Sequence, residues 1–501
     1  MAYRILVWFL RTVTRVFFRQ IEIVGLEHIP SDGPVVFAGN HPNSLIDPIL
    51  IITTCGRKVH FAAKDQLFKG RLMRAVLRGL GAVPIKRRDD HDGAPRDAVA
   101  ASLGGRDRSP VDNSAPPFGA ADGRRHAPAV DNDAAFTAMF DVLGDGGAIG
   151  IFPEGLSHDE AHLSRLKTGA ARLALGAAHR THRNITVVPC GLTFIHPKRF
   201  RSRVLVQYGP PLVFDEAVEN TPERVREVTD EIGDSLRRLT VNAPDWDTVR
   251  ALDVVRRLYQ PQEISIEERV ELARRFNTYY AQVAADPRVI GLMGKVGAHQ
   301  DRLDELGITD RELARDLSKL EVAARVGRHL VLLAFWLPLA MPGAPMHVLP
   351  LAFGRFASGK LTPRKDVVAT TKLLIGLLLV LLGYAIAIAL AGWKLGVWAA
   401  AALAILLPVS GWATLRVLDR VRLVRRGLGV LFRRLAFRRE VRSLRGERTR
   451  LVELVVATVG VVKPAELAAL FPIDHPDRRI EESSRARSAA DLDAELDKDG
   501  P

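Results

Sequence analysis

Residues 33–50 read GPVVFAGNHPNSLIDPIL, and they decide the fold. The run Val35–Ala38 is apolar at every position, so both faces of the strand it predicts are covered, as in a sheet with helices on both sides. Gly39, Asn40, Pro42, Asn43 and Ser44 then supply turn chemistry, and an apolar helical pattern follows. Asp47-Pro48 looks like a helix start, with Asp as N-cap and Pro at the first helical position. Strand, loop and helix in this order predict one unit of an α/β sheet. In the loop His41 and Asp47 stand six positions apart.

The same alternation continues outward. Strands are predicted at 21–25, 33–39, 59–63, 81–85, 147–152, 185–194 and 203–209, with helices near 48–54, 70–79, 133–144, 161–179 and 215–240. Residues 20–215 therefore read as an α/β domain, a mixed sheet flanked by helices. Within it, 89–132 is rich in Asp, Gly, Pro and Ala without any period and reads as a flexible insertion. Residues 216–328 are polar and helix-forming.

The C-terminal half adds a membrane. Residues 373–415 hold two uncharged stretches of about twenty residues broken at Lys394, each long enough to cross a hydrocarbon core of roughly 30 Å. Trp393, Trp398 and Trp412 are expected at the ends of these spans, where indoles favour the interface. Residues 329–356 are apolar but punctuated by Pro338, Pro342, Pro345 and Pro350, which predicts two short helices dipping into one leaflet or a kinked third span. Residues 416–472 open with thirteen arginines against three acids up to Arg450, and 473–501 read as a disordered tail. Basic flanks on both sides of the hairpin place them in the cytoplasm and the turn at 392–394 outside. At the N-terminus, 1–19 form an amphipathic helix whose Arg4, Arg11, Arg15 and Arg19 fall in one wedge, as in a helix lying in the membrane interface.

The 501-residue chain has a formal net charge of +14, which suits an anionic partner. The arginine tract follows a span directly, so anionic lipid is its expected partner and nucleic acid is disfavoured. Cys55 and Cys190, the two cysteines, sit in apolar runs and read as buried, reduced thiols.

Several residues have the types and places for chemistry. Asp47, bonded to one nitrogen of His41, would fix its tautomer and raise the basicity of the other nitrogen. Lys86 and Arg87 end the strand GAVPI and suit a phosphate. Phe152-Pro153-Glu154-Gly155 put a glutamate in a tight turn at the edge of the sheet. Lys167 stands at a helix start, another anion-binding position, and Lys64 ends a strand. His158 and His162 have the spacing of a zinc helix, but Asp159 replaces the required Glu, so no metal site is expected.

Taken together and in this order, the blocks Asn40-His41…Asp47, Gly81…Ile85-Lys86-Arg87, Phe152-Pro153-Glu154-Gly155 and Val187-Val188-Pro189 resemble the phospholipid/glycerol acyltransferase family. The first block holds five residues between His and Asp where the family has four, as in the branch with the yeast-type glycerol-3-phosphate and dihydroxyacetone-phosphate acyltransferases. If the loop absorbs the extra residue, Asp47 still reaches His41. The resemblance implies that His41 is the general base and Asp47 its orienting partner. Arg87, helped by Lys86, Lys167 or Lys64, would hold the acceptor phosphate, and Glu154 with Gly155 would complete the acceptor site. It implies no cofactor, acyl-CoA or acyl-ACP as co-substrate, and a glycerol phosphate-type acceptor. The Ala- and Arg-rich composition suggests a GC-rich bacterial genome, and with the basic flanks this leads to the expectation of a bacterial inner membrane with the catalytic domain facing the cytoplasm. Two alternatives stay open: a lysophosphatidate acyltransferase, and a non-catalytic lipid-binding scaffold.

Overall fold

The computed structural model describes residues 2–85, 133–259, 266–314, 319–361 and 364–462. Lys86, Arg87, the 89–132 insertion and the 473–501 tail lie outside the described residues.

Helix α1 (Ala2–Phe17) leads into β1 (Phe18–Val24), followed by β2 (Val35–Gly39), α2 (Ile46–Thr54), β3 (Val59–Lys64), α3 (Arg71–Gly79) and β4 (Val83–Ile85). Next come α4 (Asp133–Gly144), β5 (Ala148–Ile151), α5 (Gly169–Thr181), β6 (Ile185–Phe194), β7 (Ser202–Tyr208) and β8 (Leu212–Phe214). Among the described residues these strands form one sheet in the order β1-β7-β6-β2-β5-β3-β4, with β8 on the first half of β6. Strands β6, β2, β5, β3 and β4 run parallel, while β7 and β8 are antiparallel to β6. The sheet is mixed, as the sequence predicts.

The apolar run of β2 shows why both faces are covered. Val35 and Phe37 join a core made with Phe17 of α1 and Ile46 and Leu50 of α2. Val36 and Ala38 point the other way, to Met139 of α4, Leu173 of α5 and Ile232 of the helix α6 (Pro222–Leu239). Alternate side chains of one strand thus seed two layers. Cys55 and Cys190 are buried free thiols in the domain.

Two local expectations are corrected. The helix expected over 161–179 begins only at Gly169, because 156–168 is an irregular loop whose backbone amides are taken by side chains: Leu163 N donates to Asn242 Oδ1 and Ser164 N to Glu154 Oε2. His158 and His162 therefore do not share a helix. Asp47 is not an N-cap; Leu45 holds that place, the helix starts at Ile46, and the carboxylate turns back towards Asn43 and His41. Helix α1 packs Leu10 and Phe17 into the core, and Arg11 donates to Thr53 O at the end of α2. Its Ile5 and Trp8 stay 61% and 67% exposed.

Beyond the sheet, α7 (Trp246–Tyr259), α8 (Ile266–Val283), α9 (Pro287–Glu305) and α10 (Asp310–Ala314) precede α11 (Lys319–Ala340), α12 (Ala344–Leu361), α13 (Val368–Leu395), α14 (Val397–Ala436) and α15 (Arg438–Val462). Helix α15 returns to the start of this unit, packing Leu451 and Val455 on Val254, Leu258 and Leu292. Part of the arginine tract is spent on that return, since Arg448 pairs with Asp310 at 2.8 Å.

Three stretches, 320–358, 365–395 and 397–429, are long and apolar enough to cross a membrane. Helices α13 and α14 form a hairpin in which Tyr384 Oη donates to Leu407 O, and Trp393 and Trp398 stand 79% and 85% exposed at its tip. The first stretch doubles back. Trp336 of α11 meets Trp412 of α14, and Gly343 N donates to Ser410 Oγ at the break. Past the break, His347 bonds Tyr384 Oη, and Gly354 then approaches the Lys372 carbonyl near the root of α13. From residue 384 to 372 is roughly 18 Å along a helix, so α12 returns to the side from which α11 came. The proline-broken segment folds back on itself at Met341–Gly343. Trp412 therefore lies midway along the hairpin and not at a span end. Residues Ala369 and Leu373, at the root of α13, belong to the core of the sheet domain.

Candidate active site

The site lies at the C-terminal ends of the central strands, where the loops after β2 and β5 leave neighbouring positions in the sheet. Asn40 anchors the first loop to β6: its side chain donates to Leu192 O at 3.1 Å and accepts from Leu192 N at 2.7 Å. His41 comes next, and its Nδ1 bonds Asp47 Oδ2 at 2.8 Å. The extra residue of this block is absorbed before the helix. Ser44 takes the left-handed conformation, φ 50°, which folds the loop back so that Asp47, in the first turn of α2, meets the imidazole.

Asp47 is fully buried. Burial pushes its carboxyl above the usual range, against the pull of His41 and of the Asn43 amide, which donates to Oδ2 at 2.7 Å. The other oxygen, Oδ1, has no hydrogen-bond partner among the described residues. The His41 ring lies flat on Phe152, centroids 4.1 Å apart and planes 6° from parallel, and Phe61 stacks behind it. With Nδ1 tethered and the ring face covered, Nε2 is the nitrogen left for chemistry.

Glu154 is 5% exposed and spends its carboxylate on the protein. Oε1 accepts from the His41 amide at 2.7 Å, and Oε2 accepts from Ser164 N at 2.9 Å and from His158 Nε2. That hydrogen bond raises the His158 pKa. The expected role, bonding substrate hydroxyls, leaves no account of these three donors; the geometry makes Glu154 a brace between the two loops. Gly155 has φ +76°, and a Cβ there would stand 2.8 Å from the Lys167 side chain. Lys167 precedes α5 by two residues; its amide donates to Pro153 O at 2.7 Å, closing the turn. Lys64 is the last residue of β3, paired in register with Ile85 of β4.

The sequence reading thus brought His41, Asp47, Glu154, Gly155 and Lys167 to one place, while Lys86 and Arg87 lie outside the described residues. It missed His158, considered only as a metal ligand, although its distance of four from Glu154 was legible. It also missed Phe152 as the plate under His41.

The family described as Acyltransferase matches residues 20–193, and the Glycerol-3-phosphate acyltransferase 2 C-terminal domain matches residues 251–467, from α7 through α15. Glycerol-3-phosphate O-acyltransferase 2 of Saccharomyces cerevisiae is 27% identical over 75% of this chain and 63% of its own length. Glycerol-3-phosphate O-acyltransferase 1 of the same yeast is 27% identical over 75% of this chain and 59% of its own. The chain therefore spans about three fifths of the length of these relatives. A solved 1-acyl-sn-glycerophosphate acyltransferase from Thermotoga maritima is 20% identical and covers 46% of this chain and 76% of its own, with a TM-score of 0.29, too slight a likeness to carry an argument.

A mixed-sheet domain similar to the Acyltransferase family, joined to helices long and apolar enough to cross a membrane, is the class that these observations define. More particularly, the chain is a homologue of the yeast glycerol-3-phosphate acyltransferases and carries the C-terminal domain named after them.

Proposed function

We propose that this protein transfers a fatty acyl group from acyl-CoA or acyl-ACP to a hydroxyl of glycerol 3-phosphate or dihydroxyacetone phosphate in phospholipid synthesis. The observation that carries this is the buried Asp47 holding His41 through Nδ1, which leaves Nε2 basic. Nε2 takes the proton of the acceptor hydroxyl as its oxygen attacks the thioester carbonyl. The tetrahedral intermediate collapses with loss of the thiolate, which recovers the proton from the imidazolium, and no acyl-enzyme forms. Asp47 keeps the tautomer and stabilises the imidazolium, a contribution of roughly 10²–10⁴ in rate for acid–base catalysis of this kind.

Glu154 holds the His41 backbone in place. Arg87, with Lys86, Lys167 or Lys64, is assigned to the acceptor phosphate on the family resemblance. The basic residues flanking the hairpin support a cytoplasmic catalytic domain, and the Ala- and Arg-rich composition is the ground for proposing a bacterial inner membrane.

The test is thiol release from oleoyl-CoA and from an acyl-ACP by the detergent-solubilised chain, with glycerol 3-phosphate, dihydroxyacetone phosphate, lysophosphatidate or no acceptor. Turnover with one of the first two, lost in His41→Ala, is the expected result. Turnover with lysophosphatidate alone moves the reaction one acylation later. Equal rates in His41→Ala and Asp47→Ala, or silence with every donor and acceptor, overturn the assignment.

A further inference from the structure

The proposed chemistry leaves a set of cations unused where α12, α13 and α14 meet the sheet domain. The loop between β6 and β7 is the hinge of this seam. Asn43 Nδ2 donates to Pro197 O at 3.1 Å, which sets that loop against the one carrying His41. From the opposite side Lys372 Nζ donates to Lys198 O, and Arg201 Nη2 bonds Asp419 Oδ2, both at 2.7 Å. Arg201 is held at φ 62°, a left-handed conformation unfavourable for a residue with a side chain. Such a conformation persists only where its surroundings fix it.

Arg199 lies between these ties. It is within electrostatic reach of Arg355 on α12 and Arg422 on α14, and Arg355 is in turn within reach of Lys372 on α13. Arg199 Nη1 is buried and bonds no atom of the described residues. Burial, then repulsion from Arg422 and Arg355, lowers the pKa of this guanidinium. Asp419, which offsets Arg422, is already bonded to Arg201. A buried donor on a charged group is costly unless an acceptor meets it. Like charges drawn together from the domain loop and three helices call for a multivalent anion among them.

The position along the helices says what carries that anion. Arg355, Lys372 and Arg422 stand at the root of the hairpin, where Gly354 approaches the Lys372 carbonyl. On the membrane side of them, Leu349 and Phe353 are 65% and 50% exposed. The seam therefore sets a cluster of cations next to apolar surface, the pattern of a phosphate headgroup with its chains beyond. We propose that Arg199, Arg355, Lys372 and Arg422 form a binding site for the phosphate group of a lipid, beside the loop that carries His41.

The experiment uses the full chain in neutral detergent, with no acyl donor present. A fluorescent phosphatidate is titrated by anisotropy against the parent and against Arg199→Gln, Arg355→Gln and the charge control Arg439→Gln. Unlabelled phosphatidylcholine and glycerol 3-phosphate serve as competitors. Saturable binding weakened about tenfold or more in Arg199→Gln and Arg355→Gln, and unchanged in Arg439→Gln, is expected. Competition by glycerol 3-phosphate at matched concentration would assign the same site to the free phosphate ester; its failure assigns the lipid. Equal loss in all three variants reduces the effect to diffuse charge, and equal affinity in parent and variants, or equal competition by phosphatidylcholine, overturns the site. Phosphatidate should also raise the melting temperature of the parent and not that of Arg199→Gln, which separates a lost site from a lost fold.

Discussion

The loops after β2 and β5 each contain a histidine bonded to a carboxylate, His41 to Asp47 and His158 to Glu154. The residue types match, yet the wiring differs. His41 gives Nδ1 to its acid and keeps Nε2; His158 gives Nε2 to its acid, and its Nδ1 accepts from Glu160 N at 3.3 Å. Asp47 serves one imidazole and one amide, with Oδ1 unpartnered among the described residues, whereas Glu154 divides its oxygens among three donors from the two loops. One pair leaves a ring nitrogen for a substrate. The other consumes every group to hold the first in place. The proximity of a histidine and a carboxylate does not make a catalytic dyad; the atoms left over do.

The harshest test of that contrast is to remove each carboxylate's charge in turn. Asp47→Asn should lower kcat by roughly 10²–10⁴ with little change in KM for the acceptor, read by thiol release. Glu154→Gln should act first on stability, by about 1–3 kcal/mol for a buried charged acceptor, and on rate only through displacement of His41. Chemical unfolding of both variants beside their kinetics would show the split, and a Glu154→Gln enzyme of full stability but no activity would break the distinction.

A smaller effect is expected at Ser44. The left-handed φ there accepts glycine, so Ser44→Gly should be close to neutral, while Ser44→Val should cost roughly 1–2 kcal/mol and loosen the His41–Asp47 contact. The smallest effect is a pH dependence. The His158 pKa is raised by Glu154, so the pair's contribution to stability is complete below the ordinary histidine value of about 6.5 and is lost as pH rises through the raised one. The melting temperatures of the parent and His158→Gln should therefore converge as the buffer is taken upward through that window.

The sheet was legible because its strands are apolar runs bounded by Gly, Asn and Pro, with β2 the clearest case. Short β8, riding on the start of β6, is an apolar run after Gly209-Pro210-Pro211 too, but three residues are too few to read as a strand. Leu163, Leu166 and Leu173 kept a helical rhythm into a stretch that Glu154 and Asn242 hold irregular, since a side chain from elsewhere outbids local propensity for the amides. Asp47-Pro48 has the composition of a cap, but the acid's best donors were His41 and Asn43 behind it. Of the prolines in 329–356, Pro342 marks the place where the chain turns back, while Pro338 and Pro350 sit inside helices that continue through them, so the prolines alone did not give the path. The return of α15 onto α7 and α9 is a contact across some two hundred residues, and no periodicity carries it.

The root of α13 ties the membrane segment to the catalytic loops. Thr370 donates to Asn43 O, Ser157 Oγ to Asp366, and Lys372 to Lys198 O. The hairpin is therefore a lever whose short arm ends on the backbone between His41 and Asp47. A hairpin crossing a bilayer too thin for it should tilt, and a tilt passed through these bonds should reach the loop that carries His41, so bilayer thickness is expected to act as an input to the geometry of the proposed base. Rates measured in vesicles of graded acyl length would follow that input, and a flat response would mean that the lever is slack.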